Sequence, residues 1–429
     1  MTLGKVIKAV KTQTRWLEGS GQTTAQANHL AISNAVTELA GELVDAGVIT
    51  VPATPKPPAA EPTSDVPIDT AGVTEWPDRP DAYNLPNALD EVAQRWAGEN
   101  LPPVVDVFVG GDFGSMALGE SGWTDANKYD PDWLGDSKLR IISYKEKKTI
   151  YTAEDNTLIV RPTSKWSGKV EFHNWRIQCG KRNLIDAGIY GTTQLIPCEV
   201  GFFDCDWIDG PEPCVRPGSF NQASVTAVRV NIKCPTALEH AFYLRNPHGD
   251  SLAYQVNIDG IGAQAWQEVS RRSEGPQMER ATTRIIECDF TNFHKNPGRS
   301  SYCITLAGTG RDFYMADTRI EDLDLSDGLY GAFVSYNGGN KGYKLPSGKD
   351  NGRIEILGSE FNFGPGSRDL ASFRDCEELI VRGCAWNSAN GRPVKIENVS
   401  KYDWGNNTGD TDLFTSDGSM PVSKDRVTL

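Results

Sequence analysis

Downstream of about residue 150 the chain is built from short runs in which apolar and polar residues alternate with a period of two. The runs EFHNWRI, FFDCDWI, VRVNIKC, YQVNIDG, IIECDFT, MADTRIE, ILGSEFN and VRGCAWN recur along it. Alternation of this kind marks a strand with one buried face. Aligned on their central inward residue, the runs place Trp175, Cys205, Ile232, Ile258, Cys288, Thr318, Ser359 and Cys384 at one repeated position. A second set, AFYLRN, YCITLAG, AFVSYNG, LASFRDC and PVKIENV, falls between them. Two short strands per repeat, separated by Gly, Asn and Asp turns, with no helical pattern between them, exclude βαβ units. A solenoid accounts for the pattern, because one turn cannot bury its own inner face and stacked turns share a core. The spacing predicts a ladder of Cys205, Cys288 and Cys384 inside the coil. Two residues later it predicts a second ladder of Trp207, Phe290, Ile320, Phe361 and Trp386.

Within GFFDCDWIDG the alternation turns Phe203, Cys205 and Trp207 inward and Asp204 and Asp206 outward. Glu287, Cys288 and Asp289 repeat the arrangement. The cysteines are thereby read as core and the acids as a solvated face.

The texture differs upstream. Residues 1–50 read as helical, with Ile32, Val36, Leu39, Leu43 and Ala46 at the 4, 3, 4, 3 spacing of a coiled-coil seam. About three heptads are marginal alone, so this segment is expected to pack on another copy, on a larger assembly or on its own domain. Residues 4–17 carry Trp16 beside Lys5, Lys8, Lys11 and Arg15, and suit docking on an acidic protein partner. Residues 51–82 form a Pro-rich linker without a core. Residues 83–150 read as a small α+β cap, residues 151–410 as the coil of eight or nine turns, and residues 411–429 as a tail.

Composition narrows the classes. The chain has 429 residues and a formal net charge of −14, with no basic stripe, which argues against nucleic acid as a partner. No run of 18 apolar residues suggests a membrane span, and the basic N-terminus lacks the apolar stretch of a secretory signal. None of the nine cysteines forms a C-x-x-C pair, so neither a zinc site nor a disulfide framework is expected. The glycines of FVGGDFGSMALGES fit neither nucleotide-binding spacing, and no cofactor is expected.

The runs IIECDFTNF, RIEILGSEFNF and LIVRGCAWNSANG resemble the rungs of the right-handed parallel β-helix, pectate-lyase-like family, and LIVRPTSKWSGKVEFHNW resembles its first rung. The resemblance covers about residues 150–410. It implies a mainly β fold, a right-handed parallel β-helix preceded by an N-terminal α-helical segment and a small α+β cap. The family spans polysaccharide-cleaving enzymes, phage tailspikes and structural spikes. Its galacturonase-type set of N-T-D, D-D, G-H-G and R-I-K is not present in this chain.

Candidate chemistry is sparse. Asp206 and Asp289 are outward acids that could share a face, with Lys233 and Asp259 at the matching places between them. His173, His248 and His294 lack a neighbouring nucleophile motif, and no catalytic residue is assigned. Tyr330, Tyr336 and Tyr343, in the longest interval of the repeat, and Trp266 with Arg271, in GAQAWQEVSRRSEGPQMERA, are the candidates for contact with glycan or a protein partner. The resemblance implies a bacteriophage virion appendage, homotrimeric, anchored to other virion proteins through residues 1–50 and presenting its coil to host surface polysaccharide. A polysaccharide depolymerase is the alternative. The short stretch after the last rung favours a simple spike, fibre or decoration role.

Overall fold

In the computed structural model the chain divides into two compact units, residues 1–62 with 425–429, and residues 63–424. The structure describes residues 85–415 apart from 99, 120–126, 145, 153–154, 190–196, 271–279, 294–301, 324–328, 337–343, 365–368, 390 and 410–412. Trp16, the seam of Ile32, Val36, Leu39 and Leu43, the linker, Arg271 and Tyr343 lie outside the described residues.

The described residues of the second unit form a parallel β-helix closed by one helix. Three parallel sheets of 11, 11 and 12 strands run along it. One turn places Lys169–His173 in the first sheet, Trp175–Gln178 in the second and Asn183–Gly188 in the third. The next turn returns with Cys198–Phe203, in parallel register on Lys169–His173. A turn therefore holds three strands where the alternation alone suggested two. The reason is local: Asp204, at φ 54, bends the chain between Cys198–Phe203 and Asp206–Ile208, so a run that reads as one strand serves two sheets.

That corner repeats from rung to rung. Asn174, Asp204, Arg229, Gln255, Glu287, Asp317, Gly358, Gly383 and Asn406 all occupy the left-handed region between first- and second-sheet strands. Each side-chain-bearing residue there has a steric cost, which the stack offsets with a continuous ladder. The N–H of Asp204 reaches the Val228 carbonyl, that of Arg229 the Tyr254 carbonyl and that of Gln255 the Ile286 carbonyl, at 2.9–3.0 Å. The next residue points inward and completes the corner. The Cys288 thiol donates to the Ile286 carbonyl at 3.2 Å and accepts the Val256 N–H at 3.4 Å. Thr318 Oγ1 and Ser359 Oγ do the same for the rungs before them.

Register corrects the sequence alignment at two rungs. Trp207 pairs with Ile232, and Ile232 with Ile258, so these isoleucines belong to the ladder of Trp207, Phe290, Ile320, Phe361 and Trp386. Val230 and Val256 take the corner position beside Cys205 and Cys288. The slip is two residues, which leaves every side chain on its assigned face. Phe203 is a second correction. Phe202 faces the core against Trp207, with ring centroids 4.9 Å apart, and Phe203 lies on the other face, stacked on His173 at 4.6 Å. The bend at Asp204 breaks the simple alternation on its upstream side.

The coil begins at Val104–Val109, inside the stretch expected to be a separate cap, and its 11 first-sheet strands exceed the expected turn count. The helix Leu85–Arg95 closes this end. Leu85, Ala88, Leu89 and Val92 form its apolar stripe and join the core of the coil. Among the described residues no helix is long and apolar enough to cross a membrane.

Candidate functional site

The outer face of the second sheet is polar along its length. Its upstream row runs Arg176, Asp206, Asn231, Asn257, Asp289, Arg319, Glu360 and Ala385, in register. Asp206 and Asp289 do share this row, but Asn231 and Asn257 lie between them, not Lys233 and Asp259. Three rungs at about 4.8 Å put the two acids about 14 Å apart, beyond the carboxylate separations used in glycoside hydrolysis. Lys147 Nζ lies 2.9 Å from Asp206, and Arg319 Nη1 lies 3.4 Å from Asp289.

Lys233 and Asp259 stand one step downstream, where the face is hollowed. A cleft of about 390 Å³ is lined by Lys233, Pro235, Asp259, Gly260, Asn292, Phe293, Glu321, Asp322 and Leu323. It crosses four successive rungs, a length of about 14 Å. Gly260 at φ 92 and Asn292 at φ 57 are paired positions in neighbouring strands, Asn257–Ile261 and Asp289–Phe293. Phe293 is buried, whereas Leu323 is 60% exposed, the most exposed large apolar side chain described.

The walls carry the charge. Asp259 faces Lys233 Nζ at 3.3 Å and accepts the Asn292 amide at 2.6 Å. Glu321 accepts from Arg319 Nη2 at 2.7 Å and from Asn362 Nδ2 at 3.4 Å. Asp322 is buried and accepts the Leu329 N–H. Asp259 and Glu321 are two rungs apart, about 9.5 Å between strands. Both accept from charged or amide donors, the arrangement of a binding carboxylate; a general acid must carry its own proton.

The residues singled out from sequence are not brought together. Trp266 is a correction: it lies fully buried in the third-sheet strand Trp266–Val269, its indole N–H donating to Glu268 at 2.9 Å. An aromatic beside arginines in a Gly-flanked run resembles a projecting loop, but the residue is a core position of one rung. Tyr330 is half-buried edge-on to Tyr302, at 6.4 Å. Tyr336, 37% exposed, ends the strand Gly331–Tyr336, at the opposite end of that strand from Tyr330. The cleft residues Asn292, Glu321 and Leu323 went unremarked in the sequence; the signal available was the Asp-Gly at 259–260 ending an otherwise regular rung.

Thiol chemistry finds no footing among the cysteines. All nine are free and buried. Burial pushes the Cys205 and Cys288 thiols up to about 12 and that of Cys384 to about 11, away from the nucleophilic thiolate. His173 is buried against Glu171, 2.9 Å away, with its ring stacked on Phe203. No family model, no curated protein and no solved structure matches the chain.

Proposed function

We propose that this chain is a structural appendage protein of a bacteriophage virion, a spike, fibre or decoration protein. It is anchored to the particle through residues 1–50 and presents the outer face of its second sheet to a surface polysaccharide. The observation that carries the reading is the cleft at Lys233, Asp259, Asn292, Glu321 and Leu323, open to solvent on a rigid coil. Hydrogen-bonding walls with an apolar patch suit a sugar ring, which has polar edges and an apolar face. A β-helix suits presentation, because each rung is fixed by its neighbours and the face cannot collapse.

A depolymerase is the second reading, favoured by the two-rung spacing of Asp259 and Glu321. Incubating the full-length protein with bacterial surface polysaccharides separates the two. The expected result is retention of polysaccharide without new reducing ends or unsaturated uronate. Sustained turnover lost in Asp259→Asn or Glu321→Gln overturns the structural reading, and absence of retention overturns the glycan contact.

A further inference from the structure

The outer faces of the three sheets differ in character. That of the third sheet runs mainly polar, like that of the second, from Asp186 and Ser219 through Gln267 and Thr305 to Ser372 and Lys395. The first sheet instead carries an apolar stripe. Val228, Tyr254, Ile286, Ala316 and Leu357 stand in register on five successive strands. Upstream the same column continues through Phe203, the His173 stacked on it, and Ile142 to Phe108. The chain neighbours Ala227, Ala253, Ile285, Met315 and Ile356 face the core, which turns the stripe outward.

Beside it Leu252, Tyr314 and Ile380 belong to a second column and keep part of their surface exposed, as do Tyr254 and Leu357. Arg284 and Glu355 interrupt that column, and each is paired within the chain. Arg284 Nη1 lies 3.1 Å from Asp250, and Glu355 lies 2.9 Å from Arg353 Nη2.

We propose that this stripe is a contact between copies of the chain, packed side by side with their coils parallel. Spacing names the partner. Outward side chains of the first column recur at every rung, about 4.8 Å apart, over nine rungs or about 38 Å, and a second coil of this chain presents the same period at the same heights. Size agrees. A stripe about 38 Å long and about 10 Å wide covers about 400 Å² per copy, about half of the roughly 800 Å² per partner that a free-standing interface buries. Such a face secures copies that are already joined. The seam expected in residues 1–50 joins them in parallel, at a high effective concentration.

The test is cross-linking of the full-length native protein. Its nine cysteines are buried, so a short bis-maleimide reacts only at a cysteine introduced on the surface. Tyr314→Cys and Leu252→Cys each place one on the stripe, and Asn387→Cys places one on the outer face of the second sheet. Denaturing electrophoresis is expected to show the greater part of each stripe variant at multiples of 47.0 kDa, and Asn387→Cys at 47.0 kDa. Stripe variants that both stay at 47.0 kDa overturn the proposal, and so does Asn387→Cys that cross-links equally well. A parent protein that sediments as a single 47.0 kDa chain overturns it too.

Discussion

Cys288 illustrates how a polar residue fills the inner corner of a rung, a position that Val230 and Val256 fill with apolar side chains. Its side chain is small enough for the core, donates to a carbonyl two residues back and accepts an N–H from the preceding rung. Cysteine, threonine and serine satisfy all three conditions, which is why Cys288, Thr318, Ser359 and Cys384 interchange there. Replacing Cys288 with Val is expected to cost about 1–2 kcal/mol, since a buried N–H loses its acceptor. Cys288→Thr should stay close to the parent, and chemical unfolding of the two variants measures the difference. The same burial predicts that a thiol reagent added to the native protein labels none of the nine cysteines, and that denaturation exposes them all. The inward ladder was legible in the sequence because period two leaves few choices for Trp207 or Phe361. Trp266 was not legible, because a single core residue beside a loop carries no period of its own.

At the scale of the element, the left-handed corner is the unit that builds the coil. Gly358 occupies it at φ 54, and a Cβ there would meet Asp317 Oδ1 at 2.7 Å. Gly358→Val should therefore destabilise by about 1–3 kcal/mol, which thermal unfolding measures; Asn406→Gly, at the same position of a later rung, should be nearly neutral. The corner also explains why two strands of each turn read as one. Only one residue separates Lys169–His173 from Trp175–Gln178, and no glycine or proline marks the bend. On the first sheet, burial works to raise the Glu171 carboxyl, but hydrogen bonds from His173 and Lys138 outweigh it and hold the group at about 2. A carboxyl held below its ordinary 4.5 contributes stability above that value and loses it as pH falls toward 2. Acid unfolding of Glu171→Gln should accordingly be flatter than that of the parent across this window.

Across the whole molecule, one uninterrupted core makes the stack cooperative. Trp207 touches Phe202 and Phe242, in its own and the next rung, at centroid distances of 4.9 and 5.0 Å. Trp207→Ala is expected to cost about 3–5 kcal/mol, read as a lowered midpoint of a single unfolding transition of the coil. The expectation of a trimer belongs to this scale too: Leu39→Asp with Leu43→Asp in the full-length chain should convert a species of three 47.0 kDa chains to one, as sedimentation reports. The fold was legible because every rung repeats the same demand. The cleft was not, because its lining comes from four rungs far apart in sequence, a juxtaposition that only register reveals. The central claim is that this hollow on the second sheet holds a saccharide without cleaving it. A crystal structure of the full-length protein soaked with the tightest-binding oligosaccharide tests it most directly. The account predicts an intact chain lying along the coil axis over Asp259, Asn292 and Glu321, with one ring against Leu323. Density elsewhere, such as beside Tyr336 on the third sheet, or a cleaved product in the cleft, would contradict it.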